Sequence, residues 1–440
     1  MALVGLSFGQ PGLLTTNHGG DGTDGPFSPT ANWTLDTDAQ AVYNYTTVNI
    51  AAGVTVSVIG SNPIVIKSQG AVIIDGTIDC SGQVGGGSNN GTLGGAGGAA
   101  GPGGFAGGAG AGGIVCAGTN GQGPGGGIGG TDSMCLVGGG SFTDPVGGGG
   151  GGGNGTAGSP GGAPNAGTLP NVSGAGGAAQ GCCPALPGSG GGGGGNDIDA
   201  LTGAGNDGGA GGGGGGGKCT ILSDGGVNIS TTGVVRADGG AGGTSAGNGG
   251  GGGGGSGGSI MIAAPNILID GLVSALGGAA GAATQGNCGC SPGGAGGDGC
   301  IELCGNLGGV GGTLPPAAVG GESVVLTPEC PIACLWVNGN PGEAYGAALS
   351  LTCGPPLPTP FGPIVLNFAD PMFQLTFPVN GLAPTVSGLS GVVGPNAKIG
   401  INLTNIIQPG TCVDIKIQAF TAGAAGLSGV SPPIRIALRF

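Results

Sequence analysis

Charged side chains make up only 6% of this 440-residue chain, and just seven of them are Lys or Arg. With 21 Asp and Glu the formal net charge is −14. Such a chain has no basic patch to neutralise phosphates, so no nucleic-acid partner is expected. Attraction to an anionic membrane surface is disfavoured for the same reason. No apolar run is long enough to span a bilayer. Histidine occurs once, His18 in the loop NHGGDGTDG, which removes Ser-His-Asp and Cys-His catalysis unless that one residue serves. Sitting among turn residues, it reads as solvated. Disorder of the charged kind is not expected either, because the apolar fraction of 38% is enough for a core.

What the chain has instead is glycine, 122 residues of it, and 14 cysteines. One histidine and no Cys-x2-Cys pair argue against zinc. An even cysteine count with few charges suits an oxidising compartment, so an extracellular or cell-surface protein with disulfides is expected. Candidates are Cys182, Cys183, Cys288, Cys290, Cys300, Cys304, Cys330, Cys334, Cys353 and Cys412, with connectivity open except that Cys353 and Cys412 suit one internal bridge. The start, MALVGLSFGQPG, lacks a charged n-region and an h-region of signal-peptide length, so a processed or inferred terminus is expected.

Three segments align without gaps on Gly76, Gly233 and Gly271: AVIIDGTIDCSG, NISTTGVVRADG and NILIDGLVSALG. The alignment puts Val72, Ile229 and Ile267 at a first apolar site, and Ile74, Thr231 and Ile269 at a second. Ile78, Val235 and Val273 follow, then the small residues Cys80, Ala237 and Ala275. Period-two alternation places these on one face of short strands. PIVIKS, KCTILS and SIMIAA precede the copies, VNIAAGVTVSVIG lies upstream and CIELC downstream. Three short strands per repeat describe an all-β parallel β-helix, since one coil cannot bury its apolar face alone.

Glycine-rich excursions at 83–217, 239–258 and 277–299 leave after the third strand and return before the first. Equivalent positions stack in a solenoid, so they should emerge side by side. Two readings of them remain: solvated flexible loops, or close-packed strands of polyproline-II type with three residues per turn. Cys116, Cys135, Cys182 and Cys183 inside the longest excursion favour the ordered version.

The segments GGDGTDGPFSP, TTVNIAAGVTVSV, AVIIDGTIDCSG and GGGSGGSIMIAAPNILIDG resemble uncharacterised secreted bacterial proteins with Gly-rich β-repeats, over residues 17–305. By composition the glycine tracts are similar to the polyglycine-II bundles of phage tail-tip adhesins and of a Gly-rich antifreeze protein. The resemblance implies rigid extracellular binding or scaffolding and transfers no catalytic residue.

The expected organisation is an N-terminal segment 1–47, a candidate inter-subunit strand, then the solenoid at 48–311, a linker at 312–329 and an immunoglobulin-like β-sandwich at 330–440. The closing strand IRIALRF is expected at a sheet edge, where it could pair with another chain. Asp21, Asp24, Asp36 and Asp38 offer oxygen ligands at spacings compatible with calcium, though not as an EF-hand. No other cofactor is expected. A polysaccharide-active enzyme would need paired carboxylates across a cleft, and the template residues Asp75, Asp79, Asp238 and Asp270 do not form such a pair in sequence. The leading expectation is therefore non-enzymatic: a disulfide-stabilised structural subunit whose partners are copies of itself in a filament or sheath. Its alternative is an adhesin for glycans or a receptor. Ice binding ranks last, for want of a threonine ladder among Thr55, Thr77, Thr231 and Thr232.

Overall fold

The computed structural model describes residues 14–16, 19–89, 93–133, 146–162, 172–182, 185–198, 205–284, 290–310 and 312–315, and beyond these the strands between Ala318 and Arg439. No helix occurs among the described residues; the chain is all-β.

The apolar ribs read from sequence are parallel strands in register. Ile64–Ser68, Lys218–Ser223, the first half of Ser259–Ile269 and the start of Cys300–Val310 form one row, with Cys219 opposite both Ile64 and Ile260 and with Ile260 opposite Ile301. Val72–Ile74, Val227–Ile229 and the second half of Ser259–Ile269 form another. Trp33–Asp36, Thr55–Ile59, Thr77–Asp79, Val234–Arg236, Leu272–Ser274 and Thr313–Leu314 make a separate six-stranded parallel sheet. The nine-residue Val42–Ile50 and the eleven-residue Ser259–Ile269 bridge the first two rows, pairing by their first halves with one and by their second halves with the other. The hydrogen-bonded path thereby closes into a six-strand parallel ring.

Alternating side chains from all these rows meet in one core, with Ile50, Ile66, Ile74, Ile78, Ile221, Ile229, Ile262 and Ile269 fully buried. The first row also buries its other face through Val65, Leu222, Met261, Ala263 and Cys304. Burial on both faces explains why IVI, TIL and IMIAA read as near-continuous apolar runs rather than as strict alternation.

The register corrects the repeat alignment. Val227, not Ile229, lies opposite Val72 and Ile267, and Ile229 lies opposite Ile74 and Ile269. The middle copy carries two extra residues in its turn, so Thr231 is exposed there instead of filling the core. Aligning on the turn glycine hid the insertion. Residues 25–47 are not a separate segment either. Gly25–Phe27 and the first half of Val42–Ile50 pair parallel within the stack, and Trp33–Asp36 lies opposite Val56–Ile59. Within 312–329, Thr313–Leu314 and Ala318–Gly320 extend the same rows.

Among the described residues two larger, mainly antiparallel sheets and a two-stranded antiparallel one occupy the C-terminal region. Leu14–Thr16 joins one of them against Leu335–Val337. The last strand, Ile434–Arg439, is not an edge: it pairs antiparallel with Cys412–Ile417 and parallel with Ser323–Leu326. Ser323–Leu326 fell in the stretch read as linker, so its covering role was not foreseen.

Candidate functional site

Between the ribs the described residues form a glycine-rich body whose hydrogen bonds have a period of three. Along 209–217, the amides of Gly209, Gly212 and Gly215 donate to Ala111, Gly108 and Phe105. Those of Ala210, Gly213 and Gly216 donate to Gly250, Gly253 and Ser256, and those of Gly211, Gly214 and Gly217 to Gly86, Gln83 and Cys80. One segment thus donates to three neighbours, one per face. The same rule holds along 250–258, which reaches 189–195, 291–297 and 237–243. Segments from all three excursions are joined this way, as in Gly213 to Gly253 and Gly254 to Gly294. With every amide of these two segments carrying a partner, ordered backbone can be buried without a sheet.

Close approach is what requires glycine here. A Cβ built on Gly213 would overlap the carbonyl of Gly240, and one on Gly191 that of Gly253. Polar side chains are rare in the body and are used as internal ties. The Asn154 amide donates to the carbonyls of Gly257 at 2.8 Å and Leu186 at 3.0 Å. The Ser189 amide donates to the Ser256 hydroxyl at 2.8 Å. Asn196 donates to Gly113 at 2.7 Å. These residues were missed in the sequence; the only signal is a lone polar residue interrupting a glycine run, as in GGGNGT. Asn154 also heads a glycosylation sequon, yet it is fully buried. Replacing Asn154 with alanine should cost about 1–3 kcal/mol, because buried carbonyls lose their donor. The urea midpoint checks this, and the wild-type protein made in a glycosylating host should carry no glycan at that residue.

Cys182 is bonded to Cys300, 118 residues away, tying the glycine body to the first row. Cys290 is also disulfide-bonded, as is Cys116, one of the four cysteines inside the longest excursion. Cys304, expected in a bridge, is instead a buried thiol, because it sits in the apolar cluster on the outer face of its row. Cys183, Cys288 and Cys330 lie outside the described residues, as does His18; Cys334, Cys353 and Cys412 fall on strands described by their backbone alone.

The four aspartates considered for calcium are engaged separately. Asp21 accepts from the Thr23 amide at 3.1 Å, Asp24 from the Asn44 amide at 2.6 Å and the Gln40 side chain at 2.9 Å. Asp36 accepts from the Asp38 amide at 2.9 Å, and Asp38 from the Ser61 amide at 2.8 Å. Bonds from Thr23 and Ser61 hold the Asp21 and Asp38 carboxyls below the usual range. Among the described residues no group of three or more His, Cys, Asp or Glu is placed to hold a metal ion. These carboxylates act as turn caps.

Of the template aspartates, Asp79 pairs with Arg236 at 2.6 Å across adjacent strands. Burial pushes the Asp79 carboxyl up, but the Arg236 guanidinium and the bonds from Ser81 outweigh it and the net shift is downward. A depressed carboxylate stabilises the fold above its unfolded value of ~3.9, and that contribution disappears as pH falls through the folded value. The Arg236 side chain is 45% exposed, so the pair is worth only about 0.5–1 kcal/mol. Asp79→Asn should lower the urea midpoint slightly at pH 7 and leave it unchanged near pH 2. Thr55 and Thr77 do lie opposite one another, but Val234 follows them, so the threonine ladder ends after two rungs.

A shallow groove of about 580 Å³ crosses the outer face of the second row between Ile73, Asn228 and Leu268. Its lining is apolar and amide, with no titratable side chain. No helix is long and apolar enough to cross a membrane among the described residues. No known protein family, curated protein or solved structure matches the chain.

Proposed function

We propose that the chain is an extracellular structural subunit: a parallel β-helix carrying a polyglycine-II bundle, with a C-terminal immunoglobulin-like sandwich, that assembles with copies of itself into a surface filament or sheath. The observation that carries this reading is the three-sided bonding of the glycine body. A period of three, with donors to three neighbours in turn, is the signature of polyproline-II strands laid side by side. The closed ring is accounted for by two long strands that turn a corner between rows of a helical stack, each coil adding one rib to each row. Such a body has long-range backbone cross-links and few titratable groups, which suits bearing load rather than turning over a substrate. Its disulfide suits an oxidising exterior.

Self-association draws support from the outermost strand of the six-stranded sheet, Trp33–Asp36, which among the described residues is paired on one side only. Trp33 is 55% exposed there, and an unpaired edge templates pairing with another chain. The interior position of Ile434–Arg439 removes the C-terminal strand from that role. Electron microscopy and sedimentation of the purified full chain, over a wide concentration range, provide the test. Ordered filaments or sheets are the expected result, and uniform monomers at the highest concentration would overturn it.

A second reading, an adhesin, is favoured by apolar side chains standing out from the glycine body: Leu93 at 77%, Ile114 at 81% and Val115 at 55% exposure. Strongly exposed apolar side chains on such a rigid frame offer a contact surface for glycans or a receptor. Binding on a glycan array by protein that stays monomeric would select this reading over the first.

A further inference from the structure

The corner where each third-row strand hands over to the first row has the same construction three times. The amide of Gly217 donates to the carbonyl of Cys80 at 2.8 Å, that of Gly258 to Ala237 at 2.7 Å and that of Gly299 to Ala275 at 2.7 Å. Two residues after each donor the strand presents an inward side chain: Cys219, Ile260 and Ile301, which are in register with one another. The acceptors are equivalent too, since each follows one of the registered residues Asp79, Arg236 and Ser274. Two of the corners are therefore filled by an Ala with an Ile. The remaining one holds two cysteines, Cys80 and Cys219, both wholly buried in the same core cluster. The neighbouring Cys219 thiol, together with burial, pushes the Cys80 thiol well above its ordinary range.

We infer that Cys80 and Cys219 form a disulfide in the mature protein, closing the base of the longest glycine-rich excursion. The double departure from Ala-with-Ile points to this. A single Ile-to-Cys change would leave a void, whereas two facing sulfurs joined covalently fill the corner and lock its two chains together. The bond would enclose residues 81–218, a span containing the whole first excursion. Cys182–Cys300 then ties that body to the rows at a second point.

The step is a thiol–disulfide exchange with a low-molecular-weight disulfide as oxidant. One cysteine thiolate attacks a sulfur of the donor, forming a mixed disulfide and expelling a donor thiolate. The second cysteine thiolate attacks the protein-side sulfur, forming Cys80–Cys219 and expelling the other donor thiolate. Two electrons pass from the cysteines to the donor, and the two cysteine protons end on the donor thiols. Burial of both sulfurs means the exchange takes place before the corner closes around them, while a thiolate is still accessible.

The inference rests on the oxidising setting proposed above, and one experiment separates the two. Full-length protein from its native exterior, or from an oxidising secretory host, is denatured, its thiols alkylated with iodoacetamide, and the unreduced chain digested and mapped. The expected map has Cys80 joined to Cys219 and neither alkylated, alongside Cys182 joined to Cys300. Cys182–Cys300 joined with Cys80 and Cys219 both alkylated overturns this inference alone. Both pairs alkylated overturns the oxidising setting and this inference with it. The variant Cys80→Ala/Cys219→Ile installs the corner pair of the neighbouring coils; it is expected to fold, to lose the first linked peptide and to keep the second. Restoring Cys80 alone in that background should yield an alkylated Cys80.

Discussion

Replacing Gly213 with valine should lower the unfolding free energy by about 3 kcal/mol, and the neighbouring chain explains why. The new Cβ would overlap the Gly240 carbonyl, and that carbonyl belongs to a backbone with no side chain to rotate away. The strand at 240–243 must shift outward, loosening the bonds from Gly240 to Gly214 and from Gly243 to Gly211. Overpacking costs ~1–3 kcal/mol and each loosened bond adds ~0.5–1.5 kcal/mol. The smaller unfolded-state entropy of a non-glycine residue offsets only ~0.4–1 kcal/mol. Gly308→Ala is the control, because its Cβ would meet nothing closer than 3.6 Å; it should fall within ~0.5 kcal/mol of wild type. Urea midpoints for the two variants check the contrast. Equal midpoints would mean that the glycine body is loosely tethered and contributes little to stability.

That contrast also bears on what could be read in the letters alone. The ribs were legible because inward residues such as Ile74, Ile78 and Val273 recur at fixed distances from a turn glycine, and the core rewards that period. Copy number was underestimated at the start of the chain. Trp33–Asp36 carries only Leu35 as a buried apolar side chain, so the rib pattern is diluted there. The two-residue insertion at Thr231 was illegible because a turn tolerates extra residues without disturbing the strands beside it. The glycine body was legible in composition but not in topology. Its partners are chosen by backbone position modulo three, and a run of identical residues carries no mark of which neighbour each amide will meet. The few polar residues that fix the arrangement, Asn154 above all, stand out only once their carbonyl partners are known. The calcium candidates illustrate the converse. Aspartate next to glycine serves a turn cap and a metal site equally well, and the letters do not carry the bonds from Thr23, Asn44 and Ser61 that engage these carboxylates in turns.

The Cys182–Cys300 bond should make a large covalent contribution to stability. It closes a loop of 118 residues, for which chain entropy alone predicts about 4–5 kcal/mol, with ~2–5 kcal/mol usual when native disulfides are removed. The joined ends belong to different parts of the fold. Cys300 opens the strand Cys300–Val310, which lies directly against Ser259–Ile269, whereas Cys182 follows a glycine-rich segment whose nearest ties include the bonds of Gln180 and Gly181 to Asn154. Cys182→Ala/Cys300→Ala should therefore do more than lower the midpoint. Amide exchange should quicken first along 172–181 and 151–159, which are bonded to each other through Gly177 to Gly151 and Gly158 to Gly177 and reach the rest of the body through bonds such as Gly153 to Gly125 and Ser159 to Ala295. The amides of Ile260, Ile262 and Ile301 should stay as slow as in wild type, because parallel pairing on the core side is untouched. Uniform acceleration across both regions would mean that ribs and glycine body unfold as one unit, and the bond would then be stabilising the whole chain rather than anchoring one part to another.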